Sequence, residues 1–140
     1  MSEPGSTGAG PGRVLVAAYG VFALAAVSRS VVQITTRFEI APLAYLLSAF
    51  AGVVYLVAAV ALGEGIPRAR AVAWAACSIE LVGVVSVGTL SVVRPGTFPD
   101  ATVWSDFGIG YGFVPAVLPL LGLAWLWHTG VLPEHADWRR

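Results

Sequence analysis

Lysine is absent from this 140-residue chain, cysteine occurs once, and charged residues make up only 11% of it. Each shortage excludes something. Eight arginines against eight acidic residues give a formal net charge of zero, so no basic surface exists to neutralise phosphates and a nucleic-acid partner is excluded. The lone Cys77 forms neither an internal disulfide nor a CxxC redox pair, which removes the thiol-redox class of four-span enzymes. His128 and His135 have no cysteine or carboxylate cluster at ligand spacing, so no metal site is expected. No Ser, His and Asp arrangement points to nucleophilic catalysis. No cofactor is expected, and the chain reads as a non-enzyme.

What is present is apolar bulk. Hydrophobic residues make up 57% of the chain and the mean hydropathy is +0.80, outside the range of an ordinary soluble domain. Crossing about 30 Å of hydrocarbon takes roughly 20 helical residues, and four segments are long enough: 14–35, 41–63, 71–93 and 103–127. The intervals 36–40, 64–70 and 94–102 are too short for anything but antiparallel neighbours. The expected fold is therefore all-α, a four-helix transmembrane up-down bundle over 14–128. Residues 1–13, rich in Gly, Ser and Pro, read as a disordered cytoplasmic tail, and 129–140 as a second cytoplasmic tail. A signal peptide ending near Ala23, Leu24 and Ala25 is the rival for the first segment; apolar character running on to Ile34, and a single entry arginine at Arg13, favour an anchored helix.

Arg13, Arg68, Arg70, Arg139 and Arg140 fall on one side of the membrane, and Arg37 and Arg94 on the other. By the positive-inside rule both termini are cytoplasmic, in a multi-pass protein of the cell membrane. Trp104 and Tyr111 at one end of the fourth segment, with Trp125, Trp127 and Trp138 at the other, match aromatic belts at headgroup depth.

Glu80 is the most informative residue, because it lies about ten residues into the third segment and so near the bilayer middle. A carboxylate there must be paired, protonated or hydrated, and such groups face a bundle interior. Ala73, Ala76, Cys77, Gly83 and Val84 share its helical face, small enough for another helix to approach. Arg29 enters from the same side to a similar depth, and Gln33 and Thr36 continue its stripe. The second segment presents Tyr45, Ser48, Gly52 and Tyr55 at helical spacing. Three arrangements follow. An Arg29–Glu80 pair locks helix register, or Glu80 titrates in proton- or cation-coupled binding, or Arg29 snorkels to the headgroups and leaves Glu80 protonated or paired with a second copy.

The fourth segment carries Asp106, then Gly108, Gly110 and Gly112, then Pro115 and Pro119. GxGxG without a preceding strand is no phosphate loop. Gly108 and Gly112 are expected to form a GxxxG packing face, with Pro115 loosening a turn and Asp106 and Tyr111 near an outer cavity mouth. In the loop before it, Arg94 is expected to pair with Asp100 or Asp106. The candidate ligand-binding residues are thus Arg29, Gln33, Tyr45, Ser48, Tyr55, Glu80, Asp106 and Tyr111.

The glycine-rich helices, the arginine turn Arg68–Arg70 and Glu80 within the third span resemble the uncharacterised four-span membrane proteins of actinobacteria, over Val14–Trp127. In layout only, the chain also resembles the DoxX-like group. Small multidrug exporters share the span count and a membrane glutamate, but theirs lies in the first helix, where this chain has Arg29. The leading functional expectation is a bacterial inner-membrane bundle, an accessory or small-ligand-binding component with an internal polar site. A proton-coupled transporter acting as a homodimer is the alternative, and an enzyme acting on a lipid or quinone the third class. The partners envisaged are the lipid bilayer, a second copy of the chain, and a small apolar or amphipathic ligand.

Overall fold

The computed structural model describes residues 10–64 and 66–130, and among them the chain is helical with no strand. Four α-helices follow in order: α1 Pro11–Arg37, α2 Pro42–Glu64, α3 Pro67–Val93 and α4 Val114–Gly130. Each of the first three opens on a proline, where the missing N–H costs nothing and the fixed φ suits the first turn. That proline at 67 draws Arg68 and Arg70, expected in the loop, into the first turn of α3. Likewise α1 begins at Pro11, inside the stretch expected to be a tail, and Thr129 and Gly130 belong to α4. The remainder of both expected tails, with His135, Trp138, Arg139 and Arg140, lies outside the described residues.

Three helices are long and apolar enough to cross a membrane, and a bent pair makes up to four such spans. Their outer flanks carry residues such as Val21, Leu24, Val53, Val60 and Val82, all more than half exposed. Apolar surface on that scale has no place in water. The chain is a multi-pass membrane protein built as an all-α bundle.

The inward seams follow helical periodicity. On α1 the buried line is Leu15, Tyr19, Ala23, Ala26, Ser30 and Gln33. On α2, Tyr45, Ser48, Ala51, Gly52 and Tyr55 turn inward, and on α3 Ala73, Ala76, Cys77, Glu80 and Val84. Small side chains let the backbones close up: a Cβ on Gly52 would stand 2.7 Å from Val27 Cγ2 and 3.1 Å from the Val27 amide nitrogen. α1 packs chiefly on α2, α3 on α2 and α4, and α4 only lightly on α1. At one end, called here the terminal end, α1 and α3 begin and α2 and α4 finish. There Arg70 donates to the Leu126 carbonyl at 2.6 Å and to Thr129 Oγ1 at 2.8 Å, satisfying groups in the last turn of α4. The opposite, loop end carries the 3-10 turn Phe38–Ile40 and the long α3–α4 connection.

The expected fourth span of 103–127 is corrected. Instead of one helix, a 3-10 segment Ser105–Tyr111 meets α4 at a bend of 100°. Asp106, Phe107, Gly108, Gly112 and Phe113 all have positive φ, which an α-helix cannot contain. Gly108 and Gly112 therefore form no GxxxG helix face; Gly108 instead abuts the ring of Pro115, which a Cβ would approach to 2.8 Å. Hydropathy saw apolar character through this stretch, while the poor helix propensity of three glycines decided the backbone.

Candidate functional site

Glu80 is the midpoint of α3, thirteen residues from either end, with about 20 Å of helix on each side. Its surface exposure is 0%. Neither carboxyl oxygen makes a hydrogen bond of good geometry, the Tyr19 hydroxyl being the polar group placed to donate to it. Around it the helices place the rings of Tyr19 from α1 and Tyr55 from α2, both fully buried and edge-to-face at 6.1 Å. Both hydroxyls lie within electrostatic reach of the carboxyl, and that of Tyr19 contacts Cys77 Sγ at 3.5 Å. The gap left by Gly122 on α4 makes this possible, since a Cβ there would stand 2.6 Å from that sulfur. An unsatisfied carboxyl at such a position costs on the order of 1–3 kcal/mol or more, so the surrounding fold has to supply the stability that keeps it.

The ceiling of the site is the connection between α3 and α4. Trp104, expected in a headgroup belt, is 2% exposed and sits inside the bundle. Its indole N–H donates to the Tyr55 hydroxyl at 3.0 Å, and its ring edge occupies the notch at Gly83, one turn from Glu80. Phe107 fills a second notch at Gly88. Non-helical backbone at this depth is tolerated only when its polar groups are met by protein. Side-chain hydroxyls do so: the amide of Thr102 donates to Ser105 Oγ, Val103 to Ser48 Oγ, Trp104 to Thr102 Oγ1 and Asp106 to Ser91 Oγ, all at 2.7–3.1 Å. The three non-glycine residues Asp106, Phe107 and Phe113, at φ 52°, 60° and 63°, each cost about 1–2 kcal/mol in the left-handed region.

The candidate residues separate into groups. Tyr55 and Glu80 come together in the core, and Ser48 anchors the ceiling. Tyr45 belongs to the loop end, where its hydroxyl donates to Asp100 Oδ2 at 2.8 Å. Tyr111 packs edge-on against Phe22 at 5.7 Å, and Gln33 is buried toward the loop end of α1. Asp106 is exposed beside Ser91 and lines a groove of about 420 Å³ with Pro95, Phe98 and Ser105 at the loop end. Arg37, not Arg94, is the partner of Asp100, at 3.7 Å. The Tyr45 hydroxyl, then the Ala101 amide and the arginines, hold the Asp100 carboxyl below its ordinary range.

The expected Arg29–Glu80 pair does not form. Arg29 is exposed on the outer flank of α1 while Glu80 is sealed inside. Azimuth and depth both separate them: the seam passes through Ser30, one residue being a rotation of about 100°, and Arg29 lies toward the loop end, within electrostatic reach of Asp100. Sequence reasoning passed over Tyr19 and assigned Trp104 to the surface. Tyr19 was recoverable, since it lies at helical spacing with Ala23 and Ala26.

Comparison with protein family models, curated proteins and solved structures found no match to this chain.

Proposed function

We propose that the chain is a non-enzymatic small-ligand-binding bundle of the cell membrane, with both termini on the cytoplasmic side and its internal site centred on Glu80. The observation that carries this is the fully buried, unpartnered carboxyl at the midpoint of α3. Leaving it unsatisfied is expensive, and a positive or hydrogen-bond-donating group relieves that expense. The aromatic rings of Tyr19 and Tyr55 nearby suit the apolar body and charged head of an amphipathic amine. The orientation rests on arginines at the terminal end, Arg13, Arg68 and Arg70, against Arg37 and Arg94 at the loop end.

The test compares hexylamine with hexanol on the full chain in lipid nanodiscs. The amine is expected to bind the native chain and to lose at least about tenfold in affinity on Glu80→Gln, with hexanol indifferent to the substitution. Equal binding of the amine by both forms refutes the reading.

The broken fourth span favours a second reading, a proton-coupled transporter working as a homodimer, because discontinuous helices at membrane depth are how many carriers build their sites. It requires uptake driven by a pH gradient in proteoliposomes and abolished by Glu80→Gln; gradient-independent behaviour excludes it.

A further inference from the structure

We infer that the segment 102–113 is a built-in plug, and that the indole of Trp104 occupies the place of a planar aromatic amine that enters from the loop end and sets its ammonium against Glu80. The inference rests on Glu80 being the ligand-binding group and adds the ligand's shape and its route.

Three independent features meet here. The slot is built for a flat ring: Gly83 has no side chain, and a Cβ there would stand 2.5 Å from two atoms of the Trp104 ring. The slot leads to the carboxyl, because the Tyr55 hydroxyl that accepts the indole N–H is also an electrostatic neighbour of Glu80, and Gly83 lies one turn from Glu80 on α3. The occupant is held by a segment poised to leave. The amides of Thr102, Val103, Trp104 and Asp106 are tied to side-chain hydroxyls, the rest of the segment to short 3-10 and turn hydrogen bonds, and it contains left-handed turns at Asp106, Phe107 and Phe113. Strain of this kind is stored where a segment has a second arrangement.

The groove at Ser91, Phe98, Ser105 and Asp106 lies directly on the outer side of this segment. An amine attracted there by the exposed Asp106 carboxylate meets the plug itself, since Ser105 and Asp106 of that segment line the groove. When Trp104 withdraws, the vacated volume is that of an indole, bordered by the Gly83 notch, the Tyr55 hydroxyl and the ring of Phe50, with Glu80 one turn away along α3. A slim aliphatic chain fills it poorly, whereas an aromatic bicycle bearing an ammonium reproduces both the ring contact and the missing charge.

A ligand competing with a resident side chain binds more weakly by the fraction of time the site is vacant. Tryptamine is therefore the probe, titrated against the full chain in nanodiscs. Trp104→Ala is expected to bind it about tenfold or more tightly than the native chain, and Trp104→Phe, which keeps a ring but cannot donate to Tyr55, about threefold more tightly. Adding Glu80→Gln to either variant removes the gain. If Trp104→Ala does not fold, Trp104→Phe carries the test alone. Binding by the folded variants that equals the native chain overturns the plug, and if hexylamine still distinguishes Glu80→Gln, the Glu80 site stands without it. A gain that survives Glu80→Gln also overturns the inference, since the pocket then takes indoles without using the carboxyl.

Discussion

Replacing Glu80 with leucine should make the bundle more stable. The native carboxyl is wholly enclosed and its two oxygens are unpartnered, a loss worth about 1–3 kcal/mol by the behaviour of buried unsatisfied groups. Leucine reaches a similar distance from the helix and brings no polar atom. The mismatch between a branched and an unbranched side chain in a close-packed site takes back about 0.5–1.5 kcal/mol. A net gain of about 1 kcal/mol remains. Reversible unfolding of the purified chain in mixed micelles, titrated with a denaturing detergent and followed by helical circular dichroism, measures it directly. Glu80→Gln is the control, because its amide is equally unsatisfied and should bring no gain. A loss of more than about 1 kcal/mol on Glu80→Leu would refute the reasoning, for it would mean that the carboxyl holds the helices together. Stability sacrificed at a single polar position is the expected mark of a site kept for binding.

Other substitutions separate packing from site. Arg29→Leu should shift stability by less than about 0.5 kcal/mol, as for any surface position, whereas breaking a buried ion pair costs about 3–5 kcal/mol; the same unfolding assay decides. Gly88→Ala should destabilise by about 1–3 kcal/mol, because its Cβ would stand 2.5 Å from the Phe107 ring and force the segment outward. At the loop end, Asp100 is depressed in the folded state, so its contribution is complete above the unfolded carboxyl value near 3.9 and is lost as pH falls through the lower folded value. Asp100→Asn should accordingly flatten the acid limb of a stability–pH profile, and Tyr45→Phe should flatten it in part.

How much of this was legible beforehand divides by the kind of signal. The inward faces of α2 and α3 were readable because one helical period fixes a whole line: Tyr45, Ser48, Gly52 and Tyr55, or Ala73, Cys77 and Glu80, rise and fall together. Arg29 misled because depth along a helix follows from counting, while azimuth depends on which seam the neighbours choose. Its stripe with Gln33 and Thr36 shares Gln33 with the true seam through Tyr19 and Ser30, so the pattern alone did not separate the two. The bent connection before α4 was hidden for a different reason. Length and hydropathy treat Gly108, Gly110 and Gly112 as neutral spacers, but their backbone freedom and the aromatic anchors Trp104 and Phe107 let the chain fold back into the bundle. The hydroxyls that make this tolerable, Ser48, Ser91, Thr102 and Ser105, come from three separate elements, and only the assembled fold brings them together.

Whether a carboxyl lies enclosed and without a well-formed hydrogen bond inside a lipid-embedded bundle is tested most directly by carbodiimide labelling. The full chain in liposomes would be treated with dicyclohexylcarbodiimide, which partitions into lipid, or with a water-soluble carbodiimide, and modified residues located by peptide mass spectrometry. Asp106 is expected to be modified by the aqueous reagent, and Glu80, fully enclosed, to be spared by it and to react with the lipid-soluble reagent only slowly, as the bundle opens. Modification of Glu80 by the aqueous reagent as readily as Asp106, or by the lipid-soluble reagent as fast as an exposed carboxylate, would contradict the account.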